Sequence, residues 1–203
     1  KTIRNLASKS EITANYIVKT VAPIFNKKGY VGTSLSDLTS ATGLTKGAIY
    51  GNFKNKEELS LEAFNHNIRF VLGHIRERMD AENSAIGKLK ALNNFYRDYT
   101  KETIHLGGCP ILNVGIDANH LNPLLLTRVD YVIQKLEESI AEVINDGIAN
   151  NEIKKDIEPI KYARLFFSKL EGAIFMAVIR KNEAYLKEMT DHIDYTIDNE
   201  LKA

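Results

Sequence analysis

Apolar residues recur at steps of three and four along almost the whole of the 203-residue chain, which is the spacing of one face of an α-helix. The pattern is clear in residues 12–25 and again in residues 129–144. Only four prolines interrupt the chain, which leaves long stretches that can form helices. No stretch alternates apolar and polar residues as a half-buried strand does. The sequence therefore predicts an all-α protein of about nine helices.

The helices predicted in the first quarter of the chain are short and closely spaced. The first ends at Gly29, with a mild kink expected at Pro23 because proline removes a backbone hydrogen bond. Ser34 is suited to cap the second helix, and Thr45 is suited to cap a third over residues 46–52. We expect the remaining helices over residues 56–79, 85–103, 113–118, from 123 onward, 159–181 and 183–201.

The charge is close to balanced over the whole chain but uneven along it. Residues 1–56 hold nine basic and two acidic side chains, a net charge of +7, whereas the rest hold 18 basic and 24 acidic ones, a net charge of −6. A basic segment on an acidic body is typical of a polyanion-binding module joined to another kind of domain, although an excess of solvated lysines would give the same numbers. We predict two domains, residues 1–55 and 56–203, bridged by the long helix that starts at Lys56.

Residues 33–59 have the pattern of a helix-turn-helix, in which two short crossing helices are joined by a tight turn. Gly43 lies where the turn needs a positive φ, which glycine adopts without strain. The small core between the two helices is predicted to contain Leu35, Leu38, Leu44, Ile49 and Phe53. The outer faces of the second helix, from which a helix in the major groove contacts bases and phosphates, carry Thr45, Lys46, Gly47, Tyr50 and Asn52.

Three motifs run through this segment: Thr33-Ser34-Leu35-x-Asp37-Leu38, Gly43-Leu44-Thr45-Lys46-Gly47-x-Ile49-Tyr50-x-x-Phe53 and Lys56-Glu57-x-Leu59. Together they resemble the TetR family of bacterial one-component repressors, as do Phe25-x-x-x-Gly29-Tyr30 and Gly108-Cys109-Pro110-x-x-Asn113. The resemblance implies a homodimer that binds a palindromic double-stranded DNA operator. It also implies that the operator is released when a small-molecule inducer fills the helical body.

The resemblance further implies a role for individual residues of the helix-turn-helix. Lys46 and Gly47 would face the bases, with Thr45 near the edge of the groove. Backbone phosphates would be held by Thr33, Ser34, Tyr50 and Lys56. The sequence departs from the family pattern at Thr39, where alanine is usual, and at residues 51–52, where Gly-Asn replaces bulkier aromatic or histidine residues.

Aromatic and soft apolar residues cluster on the central helices of the body, where they either form the core or line a cavity for a small apolar ligand. The predicted pocket comprises Leu92, Phe95, Tyr96, Tyr99, Cys109, Phe166, Phe167 and Phe175. Cys109 is a candidate redox sensor as well, but no lysine or arginine flanks it to lower its pKa, so a packing role is favoured.

The helix predicted over residues 159–181 is apolar nearly all round, so it must be covered on two sides. The body covers one side, and a second copy of the chain is the simplest cover for the other. Small residues allow close approach of helices at this seam. The predicted dimer interface comprises Gly172, Ala173 and Ala177 with Met189 and Ile193 of the last helix.

Several other classes of protein are disfavoured by the sequence. A single cysteine forms no internal disulfide, and no signal peptide or apolar run of about 20 residues is present, so we expect a cytoplasmic protein without membrane contact. Glu102-x-x-His105 is half of a di-iron motif without a second half, and no catalytic constellation is found, so we predict neither enzyme activity, metal nor cofactor. The alternative to a repressor is a helical small-molecule-binding or interaction protein that has lost specific DNA binding.

Overall fold

The computed structural model describes residues 8–103, 105–119 and 121–203, and within these ranges the chain is all-α, as predicted. The described residues form ten α-helices and a closing π-helical turn, against about nine helices expected. The α-helices are α1 (Lys9–Gly32), α2 (Leu35–Thr42), α3 (Lys46–Tyr50), α4 (Lys56–Asp80), α5 (Ala85–Arg97), α6 (Tyr99–Glu102), α7 (Pro110–Ala118), α8 (Pro123–Ala149), α9 (Pro159–Arg180) and α10 (Ala184–Thr196), and the π-helical turn is Ile197–Leu201.

Several predicted helix boundaries differ from the observed ones, and three of the differences have a clear backbone cause. The stretch over 85–103 divides into α5 and α6 because the backbone leaves the helical region at Asp98 (φ −100°, ψ 11°). Helix α7 begins at Pro110 rather than at Asn113, since proline is well accommodated in the first turn of a helix. The last helix changes to π-helical geometry at Ile197.

A small hydrophobic core joins α1, α2 and α3 into a head. It contains buried side chains of α1, Leu38 of α2, Ile49 of α3 and Phe53 just after it. Leu59 and Ala63 complete this core, although both belong to α4. The predicted domain boundary at residue 55 therefore lies just before a helix whose first two turns belong to the head.

The local signals of the helix-turn-helix are confirmed. Ser34 and Asp37 form a reciprocal capping box, in which the Asp37 amide donates to the Ser34 hydroxyl at 3.1 Å. Gly43 adopts φ 68°, and its N–H donates to the Thr39 carbonyl. Thr45 caps α3 by accepting from the amide of Ala48. These bonds satisfy backbone groups that helices of eight and five residues would otherwise leave without partners.

The break in α1 lies at Gly29 and not at Pro23. Gly29 has φ 73° and ψ 174°, whereas Pro23 stays within helical geometry, because the fixed φ of proline suits a helix even though its N–H is missing. A Cβ at Gly29 would lie 2.8 Å from the carboxyl carbon of Asp117. Glycine thus permits both the left-handed turn and the close approach of α7.

The remaining helices form a larger body around one core. Helix α8 packs against α7 and α9, while α10 packs against α5 and α9. Helix α4 continues from the head into this second core through Phe64, Ile68, Val71 and Ile75. None of the helices in the described part of the chain has the length and apolar content needed to span a bilayer.

Candidate functional site

Helix α3 presents its N-terminal end on the outer surface of the head. Thr45, Lys46 and Gly47 are exposed, whereas Ile49 on the opposite side is completely buried in the head core. Among the residues that the structure describes, Lys46 forms no ion pair. The predicted base-contacting residues are therefore together at one exposed edge, with the charge of Lys46 not neutralised by a neighbouring carboxylate.

The residues predicted to hold phosphates occupy different environments. Ser34 is exposed at the start of α2, and Tyr50 is half-buried at the end of α3. Thr33, in contrast, is completely buried, and its hydroxyl donates to the Gly29 carbonyl at 2.7 Å. The prediction of a phosphate contact by the Thr33 side chain is wrong, because that hydroxyl satisfies the turn at the end of α1.

Lys56 lies at the first position of α4 and is only partly exposed. Its ammonium nitrogen is 4.6 Å from the centre of the Tyr30 ring, a cation–π arrangement. Partial burial lowers the pKa of Lys56, an effect that the nearby carboxylates of Asp117 and Asp37 oppose. Lys56 therefore holds α4 against the end of α1 while its charge remains near the head surface.

Asn52 connects two helices of the head through hydrogen bonds. Its Nδ2 donates to the Ala48 carbonyl at 2.9 Å, and its Oδ1 accepts from the Ser10 hydroxyl at 3.2 Å. At the neighbouring Gly51, a Cβ would lie 3.1 Å from the Gly47 carbonyl oxygen. The unusual Gly-Asn pair thus fits a tight exit from α3, and the Asn52 amide braces α3 against the start of α1.

A group of hydrogen bonds fastens the head to the body at the end of α1. The buried Asn26 amide nitrogen donates to the carbonyls of Leu106 and Gly108 at 2.7 and 3.0 Å. Asn113 donates to the Asn26 carbonyl at 3.1 Å, and Asp117 accepts from the Tyr30 amide at 2.5 Å. This junction was not predicted from the sequence. Asn113 was identified only as part of the motif Gly108-Cys109-Pro110-x-x-Asn113.

Seven of the eight residues predicted to line the ligand pocket lie together in the body core. The buried members are Leu92, Phe95, Tyr96, Tyr99, Cys109, Phe166 and Phe167. The rings of Tyr96 and Tyr99 are stacked with centroids 5.4 Å apart, and Phe95 meets both of them edge-on. Phe175 is 45% exposed on the outer side of α9, so its assignment to this group is wrong. The face of α9 that carries it turns away from the core.

A buried carboxyl group lies within this interior group. The Cys109 thiol donates to Oε1 of Glu171 at 3.4 Å, while Oε2 of Glu171 and the hydroxyl of Tyr99 have no hydrogen-bond partner among the residues that the structure describes. Burial raises the pKa of Glu171 to about 7. Burial and the nearby Glu171 also raise the pKa of the Cys109 thiol, which keeps it protonated and disfavours the sensor reading.

Helices α4 and α8 form a cleft of about 370 Å³ that opens to solvent. Its floor includes Ile68 and Ile75 from α4 and Val132 from α8, and basic side chains lie at its rim. This volume falls within the range of small-molecule sites, about 300–1,000 Å³. None of the eight residues predicted from the sequence to line a pocket borders this cleft, because its lining comes from α4 and α8 with Lys88 of α5, whereas those eight lie elsewhere on α5, on α6 and α9, and at Cys109.

The predicted dimer interface is partly wrong because three of its five residues face the core of their own chain. Ala173, Ala177 and Ile193 are buried in the core of their own chain, so a partner cannot reach them directly. Gly172 is exposed and Met189 half-buried. The outward face of α9 is nevertheless apolar, with exposed Leu165, Phe175, Met176 and Ile179.

Among the described residues, no group of three or more histidine, cysteine, aspartate or glutamate side chains is placed to hold a metal ion.

Two family models match the chain. Residues 17–63 match the model described as bacterial regulatory proteins, tetR family, and residues 85–193 match the one described as tetracyclin repressor-like, C-terminal domain. The first covers most of the head and the start of α4, and the second covers more than half of the whole chain.

Known proteins of similar length also match. A transcriptional regulator of the TetR family from Cytophaga hutchinsonii has 34% identity and a TM-score of 0.93, covering 98% of this chain and 99% of that one. A TetR regulator from Chloroflexus aurantiacus has 32% identity and a TM-score of 0.91, covering 96% and 98%. The HTH-type transcriptional repressor DhaR of Mycobacterium sp. (strain GP1) is 22% identical over 173 residues, 85% of this chain and 86% of that protein.

Proposed function

The chain belongs to the TetR family of bacterial transcriptional regulators, and from that membership we propose that it is a homodimeric repressor of a palindromic operator. In this proposal two heads contact two half-sites, and a small molecule held by the body releases them. The repressor sign is supported by similarity to proteins named as repressors, DhaR among them.

The exposed N-terminal edge of α3 is the observation that carries the proposal. Lys46 and Gly47 are exposed, Lys46 has no ion-pair partner among the described residues, and the buried side chains of Ile49 and Phe53 pack α3 and the residues after it onto the head core. A helix presented in this way enters the major groove with its first residues against the base edges. The absent side chain of Gly47 lets the α3 backbone approach the DNA closely.

The apolar outer face of α9 supports the proposal of a dimer. Exposed residues at positions 165, 168, 172, 175, 176 and 179 follow the three- and four-residue steps of a helical seam. Phe175 and Ile179 are 45% and 63% exposed, which is unusual for large apolar side chains on one continuous face. A twofold axis through this face would present two heads to one operator.

Two connections support coupling between the body and the head. Helix α4 contributes to both hydrophobic cores, and Asn26, Asn113 and Asp117 join α1 to α7 and the loop before it. An effector that binds better to a non-DNA-binding arrangement shifts the population toward it. Half-sites lie about 34–36 Å or a multiple apart, so a small rotation of α4 spoils simultaneous contact.

Selection of bound sequences from a pool of random double-stranded DNA tests the proposal. We expect enrichment of an inverted repeat, and affinity for it that falls steeply as salt rises, because phosphate contacts release counterions. Enrichment of single half-sites would contradict the dimer. Absence of any enriched sequence would favour the alternative, a small-molecule-binding protein of the same fold without specific DNA binding.

A further inference from the structure

The cleft between α4 and α8 combines an apolar floor with a cationic rim. The floor is formed by Ile68, Leu72 and Ile75 on one side and Val132 and Leu136 on the other. Ile68, Ile75 and Val132 are each no more than 5% exposed, so the floor belongs to the rigid core of the body. Water at such a floor finds few hydrogen-bond partners. Its displacement by an apolar group of a ligand therefore makes the free energy of binding more favourable.

Four basic side chains border the same cleft, against one acidic side chain, Asp80. The basic residues are Arg76 of α4, Lys88 of α5, and Arg128 and Lys135 of α8. The body as a whole is acidic, with 24 acidic and 18 basic residues after residue 56. A cluster of positive charge from three helices therefore runs against the average charge of its own domain, and it attracts anions.

The four cations differ in how far the chain already satisfies them. Lys135 pairs with Glu138 at 2.6 Å, and Arg128 donates to Asn65 at 2.7 Å with its guanidinium 5.0 Å from the Tyr131 ring centre. Arg76 and Lys88 form no ion pair within the described parts of the chain. The side chains of Arg76 and Lys88 can therefore bind the head group of a ligand. Arg128 and Tyr131 form one side of the cleft.

We propose that this cleft binds an amphiphilic organic anion, with its carboxylate or similar head group at Arg76 and Lys88 and its hydrocarbon part on the floor of Ile68, Ile75 and Val132. A small inorganic anion would leave the floor wet, and a neutral apolar molecule would leave the cations without a partner. The apolar floor and the cationic rim together therefore indicate the chemical class of the ligand. It rests on the proposed function, since it identifies the chemical class of the effector.

The position of the cleft suits an effector site because α4 is one of its walls. Ala63 belongs to the head core, and Ile68, on the cleft floor, follows five residues later, which is about 7.5 Å along the helix axis. A ligand wedged between α4 and α8 displaces α4 where it leaves the head. The displacement reaches the first turns of α4 because an α-helix moves as a rigid element over this distance.

Calorimetric titration of the full chain with three ten-carbon probes tests the proposal: decanoate, decanol and decyltrimethylammonium. We expect decanoate to bind at least about tenfold more tightly than decanol, and the ammonium probe to bind most weakly. The double variant Arg76→Gln/Lys88→Gln should reduce the affinity for decanoate to that for decanol. The charge-matched control Lys155→Gln/Lys161→Gln, at exposed positions outside the cleft lining, should bind all three probes as the unmodified chain does.

A third variant tests whether the probes occupy this cleft. Ser139 is an exposed residue of its lining, so Ser139→Phe fills the cleft without disturbing the core and should abolish binding of decanoate and decanol alike. Equal affinities for decanoate and decanol, or decanoate binding that survives Ser139→Phe, would overturn the proposal. A gel-shift assay with the selected operator, on the same protein preparations, distinguishes failure of this site from failure of the proposed function. A chain that binds the operator but not decanoate refutes the ligand site alone. A chain that binds decanoate but not the operator refutes the proposed regulatory function.

Discussion

Two lysines near the surface of the head differ in the exposure and contacts of their side chains. Lys46 is exposed at the tip of α3, whereas Lys56 lies over the Tyr30 ring with part of its side chain buried. An exposed ammonium at the first turn of a helix can reach a base edge in the major groove. Lys56, held over the Tyr30 ring, has less reach, so in the proposed complex we expect it to contact a phosphate rather than a base.

Lys46→Ala is expected to lower affinity for the selected operator by about 1–3 kcal/mol and to affect unrelated DNA much less. Lys56→Ala should weaken binding to all sequences by similar amounts, because a phosphate contact carries no sequence information. Fluorescence anisotropy with operator and scrambled duplexes at one salt concentration measures both. Equal losses on the two duplexes for Lys46→Ala would show that this side chain does not contact bases.

Glu171 makes the stability of the body depend on pH. Its pKa is about 7 in the folded chain because of burial, against an ordinary 4.5. The neighbouring Cys109, Tyr99 and Tyr96 have pKa values raised well above their ordinary ranges, so they remain protonated in this interval. The folded state therefore binds the Glu171 proton more tightly, and this stabilisation is complete below pH 4.5 and lost as pH rises through about 7.

Glu171→Gln is expected to remove a pH-dependent contribution on the order of 3 kcal/mol to the free energy of unfolding. Between pH 5 and pH 8 the unmodified chain should lose stability that the glutamine variant keeps. Urea unfolding at a fixed protein concentration measures this, with Glu188→Gln, an exposed position on α10, as the control. The same loss in both proteins would mean that another group titrates.

At the scale of elements, the short helices α2 and α3 depend on their ends. Helices of eight and five residues do not persist alone in water, since nucleation costs more than so few hydrogen bonds return. The Ser34–Asp37 capping box, the Thr45 cap and the left-handed Gly43 turn satisfy their free backbone groups. Leu38 and Ile49 then attach both helices to the head core.

Gly43→Ala and Gly73→Ala form a matched pair that isolates the backbone effect. An added Cβ meets nothing within 4 Å at either position, but Gly43 has φ 68° while Gly73 lies inside helix α4. We expect Gly43→Ala to destabilise the chain by about 1–2 kcal/mol. Gly73→Ala should stabilise it by about 0.5–1 kcal/mol. Chemical denaturation measures both, and shifts of the same sign would contradict the role given to the turn.

At the scale of the whole molecule, α9 separates two apolar surfaces. Its inner side packs Phe166, Leu170 and Ala173 into the body, and its outer side leaves Phe175 and Ile179 exposed. In the proposed dimer the outer side is buried against its own copy. Buried Glu171 lies four residues before Phe175, about one turn of the same helix, so it lies at the border between the two sides.

Phe175→Glu is expected to convert the proposed dimer to monomers, because burying an unpaired charge at the seam costs several kcal/mol. Operator binding should fail with it, since one head contacts one half-site. Light scattering at micromolar concentration reports the mass, and Leu124→Glu is the control, because Leu124 is 47% exposed, close to the 45% of Phe175, but lies on α8. If the unmodified chain were already monomeric at this concentration, the seam would be refuted.

Features that depend on near neighbours in the chain could be predicted from the amino-acid sequence. Helical periodicity predicted the all-α fold, and the glycine turn and the capping residues predicted the helix-turn-helix, because each is a matter of a few consecutive residues. The exposure of Lys46 followed in the same way, since α3 has one apolar side and the opposite side must face outward. A helix with a single apolar face has only one way to pack.

Other features could not be predicted, because the amino-acid sequence is equally compatible with two arrangements and only packing selects one of them. Helix α9 is apolar on both sides, so periodicity did not distinguish the inward Ala173 and Ala177 from the outward Phe175. Burial of Thr33 depends on the Gly29 turn and the approach of α7, and the cleft depends on how α4 and α8 are spaced. These features arise between residues far apart in the chain, whose distances are set by packing of the whole core rather than by local conformation.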